Sequence, residues 1–136
     1  MKLSSQHRIF NSKLALVLGW CLILASTAAN ALNLGQIEVQ SSLNEPLSAT
    51  IPIFASAEEL STLDVRLASD QVFRRLGIER ADALLLLMFE VISINGTPHI
   101  KVTSKSLIRE PLLEFVLSVN WGSGKILREF AIFLSP

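Results

Sequence analysis

The feature that most constrains the fold is a stretch of ten residues, 112–121, in which apolar and polar side chains alternate. Every second residue from Leu113 to Trp121 is large and apolar, whereas the residues between them include Glu114 and Asn120. Because successive side chains of a β-strand point to opposite faces, this pattern predicts a half-buried strand. A helix would repeat its apolar residues every three or four positions instead.

Turn signals recur between further strand-like stretches. Asn95-Gly96 tolerates the positive φ angles of a type I′ turn, and Gly122-Ser123-Gly124 also predicts a tight reversal. The strands that these turns separate are residues 86–94 and 99–104 for the first, and residues 112–121 and 125–134 for the second. With the alternation earlier in the chain, this predicts a mainly β fold, an antiparallel Ig-like β-sandwich of about seven strands with one or two short helices.

The predicted helices are two short turns. Ser56 and Glu59 have the spacing of a capping box, in which the serine side chain accepts from the Glu59 amide and the Glu59 carboxylate returns to the cap. A second turn covers residues 70–76 and ends at Gly77, which suits a left-handed C-terminal position. Pro52 lies in an alternating stretch and lacks an amide hydrogen, which predicts an edge strand or a bulge.

The first 31 residues have the three parts of a secretory signal peptide. A basic stretch precedes twelve apolar residues, 14–25, and the small-residue end Ala29-Asn30-Ala31 predicts cleavage after Ala31. Twelve helical residues extend about 18 Å, whereas a hydrocarbon core is roughly 30 Å thick. We therefore expect export without a stable transmembrane segment after cleavage, and an uncleaved anchor is the alternative. Residues 32–136 are expected to form one domain.

The composition of the exported part excludes several classes of function. Residues 32–136 carry 9 basic and 12 acidic side chains, a balance that disfavours a nucleic-acid surface. His99 is their only histidine, and the single cysteine, Cys21, precedes the cleavage site. Residues 32–136 therefore cannot supply paired histidines or thiolates to a metal site. The sequence also lacks Gly-x-Ser-x-Gly and a glycine-rich phosphate loop. It predicts a non-catalytic protein without a cofactor or metal.

Four side chains are candidates for contact with a partner or a glycan: Arg109, Glu110, Trp121 and Arg128. Arg109 and Glu110 stand between an apolar residue and a proline, which predicts either a local ion pair or an exposed recognition corner. Arg128 and Glu129 interrupt an apolar strand, as a cross-strand pair or a polar contact patch would. Trp121, beside a glycine turn, either packs at the rim of the core or stacks on a sugar or a partner.

Seven short blocks within residues 32–136 carry a family resemblance. They are Leu34-Gly35-Gln36-Ile37, residues 41–49, 65–69, 77–78, 102–104 and 108–111, and the ending from Trp121 to Phe130. In this order and spacing they resemble the N-terminal periplasmic domain of the FimV family, the polar landmark and type IV pilus assembly proteins.

The resemblance implies a bacterial periplasmic module of a scaffold that also has a LysM peptidoglycan-binding module, one transmembrane helix and an acidic cytoplasmic region. Such proteins support pilus assembly, twitching motility and organisation of the cell pole without catalysis. Envelope or pilus-machinery proteins are therefore the expected partners, and an exposed strand edge is the expected place of contact. Two alternatives stay open. One is a cell-wall module that binds peptidoglycan through Trp121, Arg109 and Arg128; the other is a truncated remnant of a longer scaffold.

Overall fold

Eight strands in two antiparallel sheets dominate the computed structural model, which describes residues 31–136. The predicted signal peptide, apart from Ala31, lies outside the described residues, and residues 32–136 form one compact unit. The strands are β1 (Asn33–Leu34), β2 (Glu38–Val39), β3 (Pro46–Phe54), β4 (Asp64–Leu67), β5 (Leu87–Ile94), β6 (Thr97–Leu107), β7 (Leu112–Trp121) and β8 (Gly124–Phe133).

The order of the strands confirms the predicted sandwich. The larger sheet runs β1-β3-β6-β5, with β2 also paired to β3, and the smaller sheet runs β4-β7-β8. Buried side chains of both sheets belong to a single hydrophobic cluster. The count is one strand higher than the predicted seven because the chain before β3 forms two separate two-residue strands. β5, β4 and β8 each pair with one neighbour only, so they are edge strands among the described residues.

Both predicted hairpins form, and each closes through two residues. Ile94 pairs with Thr97, and Asn95 and Gly96 have φ angles of 50° and 80°, as a type I′ turn requires. The second turn is Gly122-Ser123 alone, because Trp121 already pairs with Gly124. Strand pairing therefore begins directly beside each turn, and both loops are shorter than the sequence predicts.

Pro52 corrects one expectation, because it lies on β3, which has neighbours on both sides. Its carbonyl accepts from the Gly35 amide at 2.8 Å, so its nitrogen faces the same side. On that side lies the gap between β1 and β2, where the β-ladder along β3 is interrupted. No partner strand there requires an amide donor from residue 52. The register shift of β3 lies between Pro46 and Ser48 instead.

Two α-helices and one 3-10 helix connect the strands: α1 (Ala57–Ser61), α2 (Asp70–Leu76) and the 3-10 helix Asp82–Leu86. The Glu59 amide donates to Ser56 Oγ at 3.2 Å, and Gly77 ends α2 with a φ of 71°, so both predicted ends are confirmed. Ser69 makes no side-chain cap bond, and the 3-10 helix was not predicted. In the described part of the chain, no helix is long and apolar enough to cross a membrane.

The centre of the core lies on β7. Its inward-facing residues Leu113 and Phe115 are buried, as the alternation predicts. The Phe115 ring stacks on Phe130 of β8 with centroids 5.5 Å apart, and it lies 6.4 Å from Phe89 of β5. Because the ring contacts both sheets, it joins the two layers of the sandwich.

Candidate partner-binding surfaces

The four candidate residues lie in three separate grooves. Arg109 and Glu110 share the first, Trp121 lines the second, and Arg128 lines the third. β7 begins after the Arg109 corner and ends at Trp121, and nine steps of about 3.3 Å place its ends about 30 Å apart. A single small ligand therefore cannot contact the corner and the tryptophan at once.

The Arg109 corner is an exposed loop held by backbone hydrogen bonds on both sides. Ile108 is buried, and its amide donates to the Glu45 carbonyl at 3.0 Å. The carbonyl of Pro111 accepts from the Leu134 amide at 2.8 Å. Between these fixed points Arg109 is exposed, and it forms no ion pair with any described residue. The corner borders a cavity of about 330 Å³ whose apolar wall includes Leu107.

Arg128 faces the space between the sheets. It pairs in register with Leu117 of β7, and Nη1 donates to the Leu34 carbonyl of β1 at 3.1 Å. The guanidinium carbon lies 5.6 Å from the centre of the Phe130 ring. The side chain thus ties β8 to β1 across the open side of the sandwich, while Glu129 points outward and is exposed. A partner or glycan contact for Arg128 stays a prediction.

The Trp121 groove is built where the β7–β8 turn meets α1. Thr62, the C-cap of α1, accepts from the Gly122 amide at 2.9 Å through its side-chain oxygen. A Cβ built on Gly124 would lie 2.5 Å from Cζ2 of Trp121, so the indole lies directly over this glycine. The groove has a volume of about 370 Å³. Its lining residues are Ser56, Glu58, Glu59, Thr62, Trp121, Gly122 and Ser123.

The electrostatics of the Trp121 groove are acidic. Two of its lining residues, Glu58 and Glu59, are carboxylates and none is basic. The ion pairs found among residues 31–136 are Arg66–Asp64 and Arg80–Asp70, so neither groove carboxylate is neutralised by one. Glu59 Oε2 is enclosed and finds no donor in this part of the chain. The return half of the predicted capping box is therefore absent at this oxygen, and the Glu59 side chain lines the groove instead.

The edge strand β5 is a further exposed surface. Met88, Val91 and Ile94 are 42%, 41% and 38% exposed. The strand has one charged residue, Glu90, and no proline or glycine. Native edge strands usually carry lysines, prolines or bulges that prevent pairing with another chain. β5 lacks these devices, so its free edge is open to a further strand.

Trp121 and an exposed strand edge were predicted from the sequence, but the groove carboxylates were missed and the strand that forms the edge was not specified. Glu58 and Glu59 looked like residues of a helix cap, because their contact with the Trp121 turn joins positions about sixty residues apart. The apolar content of β5 does not distinguish an edge strand from a core strand, and no local signal shows which strand ends a sheet. The pairing order of the strands decides it.

Material for catalysis is sparse in the described residues. No group of three or more His, Cys, Asp or Glu side chains within residues 31–136 is placed to hold a metal ion. The ring of His99 is half-buried, and its Nδ1 lies 2.9 Å from the Thr97 carbonyl. This histidine thus contacts backbone, and within residues 31–136 it forms no hydrogen bond with a serine.

Comparison with known families decides the assignment. Residues 32–136 match the model described as the FimV N-terminal domain, an Ig-like domain. The chain belongs to the FimV N-terminal domain family. It is 38% identical over 117 residues to the motility hub protein FimV of Pseudomonas aeruginosa, both in strain PAO1 and in strain UCBPP-PA14. No solved structure matches significantly.

The FimV relatives are much longer than the matched region. The alignment covers 84% of this chain and 13% of each relative. What is shared is therefore the Ig-like FimV N-terminal domain, and the predicted family membership is confirmed for residues 32–136. The three grooves and the β5 edge lie within residues 32–136, the region that the family model matches.

Proposed function

We propose that this FimV N-terminal domain is a non-catalytic periplasmic interaction module that supports type IV pilus assembly and twitching motility. Its relatives are named motility hub proteins, which supports a role in motility. The family match begins at residue 32, the first position after the predicted cleavage site, which supports export to the periplasm. Its partners are envelope or pilus-machinery proteins.

The observation that carries the proposal is the unpaired edge of β5. A free strand edge offers a row of backbone amides and carbonyls, and an extended segment of another protein can pair with them. The exposed Met88, Val91 and Ile94 add apolar contacts along the same edge. Since the backbone of β5 supplies the pairing groups, the occupant is an extended segment of a partner protein with apolar side chains.

The test is a charge placed on this edge. Met88→Lys puts an ammonium group on a side chain that is 42% exposed on the outward face of β5, where lysine can extend to water. We expect the variant, expressed in a strain that lacks the gene, to leave twitching motility at the level of the deletion strain. Protein abundance is measured in the same cells and is expected to stay normal.

Leu127→Lys is the matched control. Leu127 is 37% exposed and lies on the outward face of β8, an edge strand of the other sheet. We expect this variant to restore motility to the level of the original protein. Full motility with Met88→Lys at normal abundance would refute the β5 edge as the binding surface, and equal loss with both variants would show a general effect of surface charge.

Cell-wall binding is the alternative function. Trp121, Arg109 and Arg128 line three different grooves, so they offer no common surface to a glycan strand. The geometry therefore favours the protein partner. Co-sedimentation with purified sacculi, lost on Trp121→Ala, would reverse this preference.

A further inference from the structure

We propose that the Trp121 groove binds the lysine or arginine side chain of a protein partner. The proposal goes beyond the β5 edge, because the groove lies at the β7–β8 turn and uses none of the residues of β5. It rests on the proposed function only in that the partner is a protein. The two surfaces are therefore tested by different variants.

The first argument is the unbalanced charge of the groove. Glu58 is exposed and Glu59 is half-buried, and no described residue forms an ion pair with either. A carboxylate oxygen that is enclosed without a donor is costly, and Glu59 Oε2 is in this state with respect to residues 31–136. An ammonium or guanidinium group brings both the positive charge and the donors that these carboxylates lack.

The second argument is the fixed position of the indole. Gly124 has no side chain, so the indole of Trp121 packs directly against the backbone at this position. This contact fixes the ring against the turn. The ring also lines the groove that contains the two carboxylates. A cation near the face of a tryptophan is attracted by the negative potential of the ring, and tryptophan is the best aromatic residue for this contact.

The third argument is that the groove is already assembled. The Gly122 amide donates to Thr62 Oγ1 at 2.9 Å, and the Glu59 amide donates to Ser56 Oγ at 3.2 Å. The first bond joins the turn to the helix and the second caps the helix, both without a ligand, so little ordering is required on binding. A neutral sugar would stack on the ring but would leave both carboxylates without a counter-charge, and an anion would be repelled.

The experiment is an NMR titration of the full chain labelled with 15N. The probes are the peptides acetyl-Gly-Lys-Gly-amide and acetyl-Gly-Arg-Gly-amide. We expect both to shift the indole N–H of Trp121 and the amide of Gly122. The same peptide with an acetylated lysine has no charge and is expected to leave these signals in place.

Conservative variants assign the effect to the groove. Glu58→Gln keeps the size of the exposed side chain and removes one charge, and we expect about tenfold weaker binding of both basic peptides. Glu114→Gln is the matched control, because Glu114 is exposed on β7 outside the groove, and its binding is expected to be unchanged. Trp121→Phe is expected to retain part of the affinity that Trp121→Leu loses, since phenylalanine keeps an aromatic face.

Three results would overturn the proposal. They are unchanged signals at tens of millimolar of both basic peptides, equal shifts with the acetylated peptide, and stronger shifts with a disaccharide of N-acetylglucosamine and N-acetylmuramic acid than with either peptide. None of them affects the result expected for Met88→Lys in cells. Failure of the groove and failure of the proposed function are therefore distinguishable.

Discussion

The first strands of the two hairpins have similar apolar content but different surroundings. β5 and β7 are both rich in large apolar residues, and each leads into a two-residue turn. β7 lies between β4 and β8 and is buried along most of its length, whereas β5 ends its sheet and exposes Met88, Val91 and Ile94. The comparison shows that an apolar strand becomes a core strand or an exposed edge strand according to its place in the sheet.

The difference extends to the outward faces. Val116 points away from Phe115 on β7, yet it is fully buried. Its carbonyl accepts from the Ala68 amide at 2.9 Å, where the chain leaves β4 towards α2. Phe73 of α2 belongs to the same buried cluster. The outward face of β7 is thus buried where the segment that follows β4, including α2, meets it. Among the described residues, the outward face of β5 has no such cover.

The largest expected effect distinguishes the two strands by stability. Phe115→Ala removes a fully buried ring that stacks on Phe130, and we expect a loss of about 3–5 kcal/mol in the free energy of unfolding. Met88→Ala on β5 is expected to cost less than about 1 kcal/mol, since Met88 is 42% exposed. Urea unfolding measures both values. Equal losses would contradict the assignment of Met88 to an exposed position on an edge strand.

A smaller effect is expected at the strand that supports β5. Ser104 of β6 is buried, and its Oγ accepts from the Leu47 amide at 2.7 Å where the register of β3 shifts. Ser104→Ala leaves this buried amide without its acceptor and is expected to cost about 1–3 kcal/mol in urea unfolding. Ser118→Ala is the control on β7, where the hydroxyl is half-buried and accepts only from the Asn120 side chain at 3.3 Å. A neutral Ser104→Ala would show that the shifted register does not depend on this bond.

The smallest expected effect compares the two turns. Gly96 has a φ of 80°, and Gly96→Ala is expected to cost about 1–2 kcal/mol because an L-residue is strained there. Gly122 has no positive φ, and a Cβ on it would meet Thr62 Oγ1 at an ordinary 3.5 Å. Gly122→Ala is expected to change stability by less than about 0.5 kcal/mol. Thermal unfolding of both variants tests this, and the reverse order would show that the second turn carries the strain.

Local patterns accounted for much of the fold. The alternation from Leu113 to Trp121 predicted the inward face of β7, and Asn95-Gly96 predicted a turn whose two φ angles are positive. Pro52 was misjudged because its missing amide is harmless at a break between β1 and β2, which only the pairing order shows. The four candidate residues were chosen one by one. The length of β7 separates the Arg109 corner from Trp121, and Arg128 lies on β8 opposite Leu117, in a groove of its own.

By itself, the sequence determined the elements of this FimV N-terminal domain: strands, turns and helix ends follow from neighbours within a few residues, because side-chain alternation and backbone φ preferences are local. The tertiary structure alone decided which strands became edges and which side chains meet. Trp121 and Glu59 line one groove although about sixty residues separate them, and Arg128 reaches Leu34 across the sandwich. Such contacts depend on the order of the strands in the two sheets, which no short stretch of sequence contains.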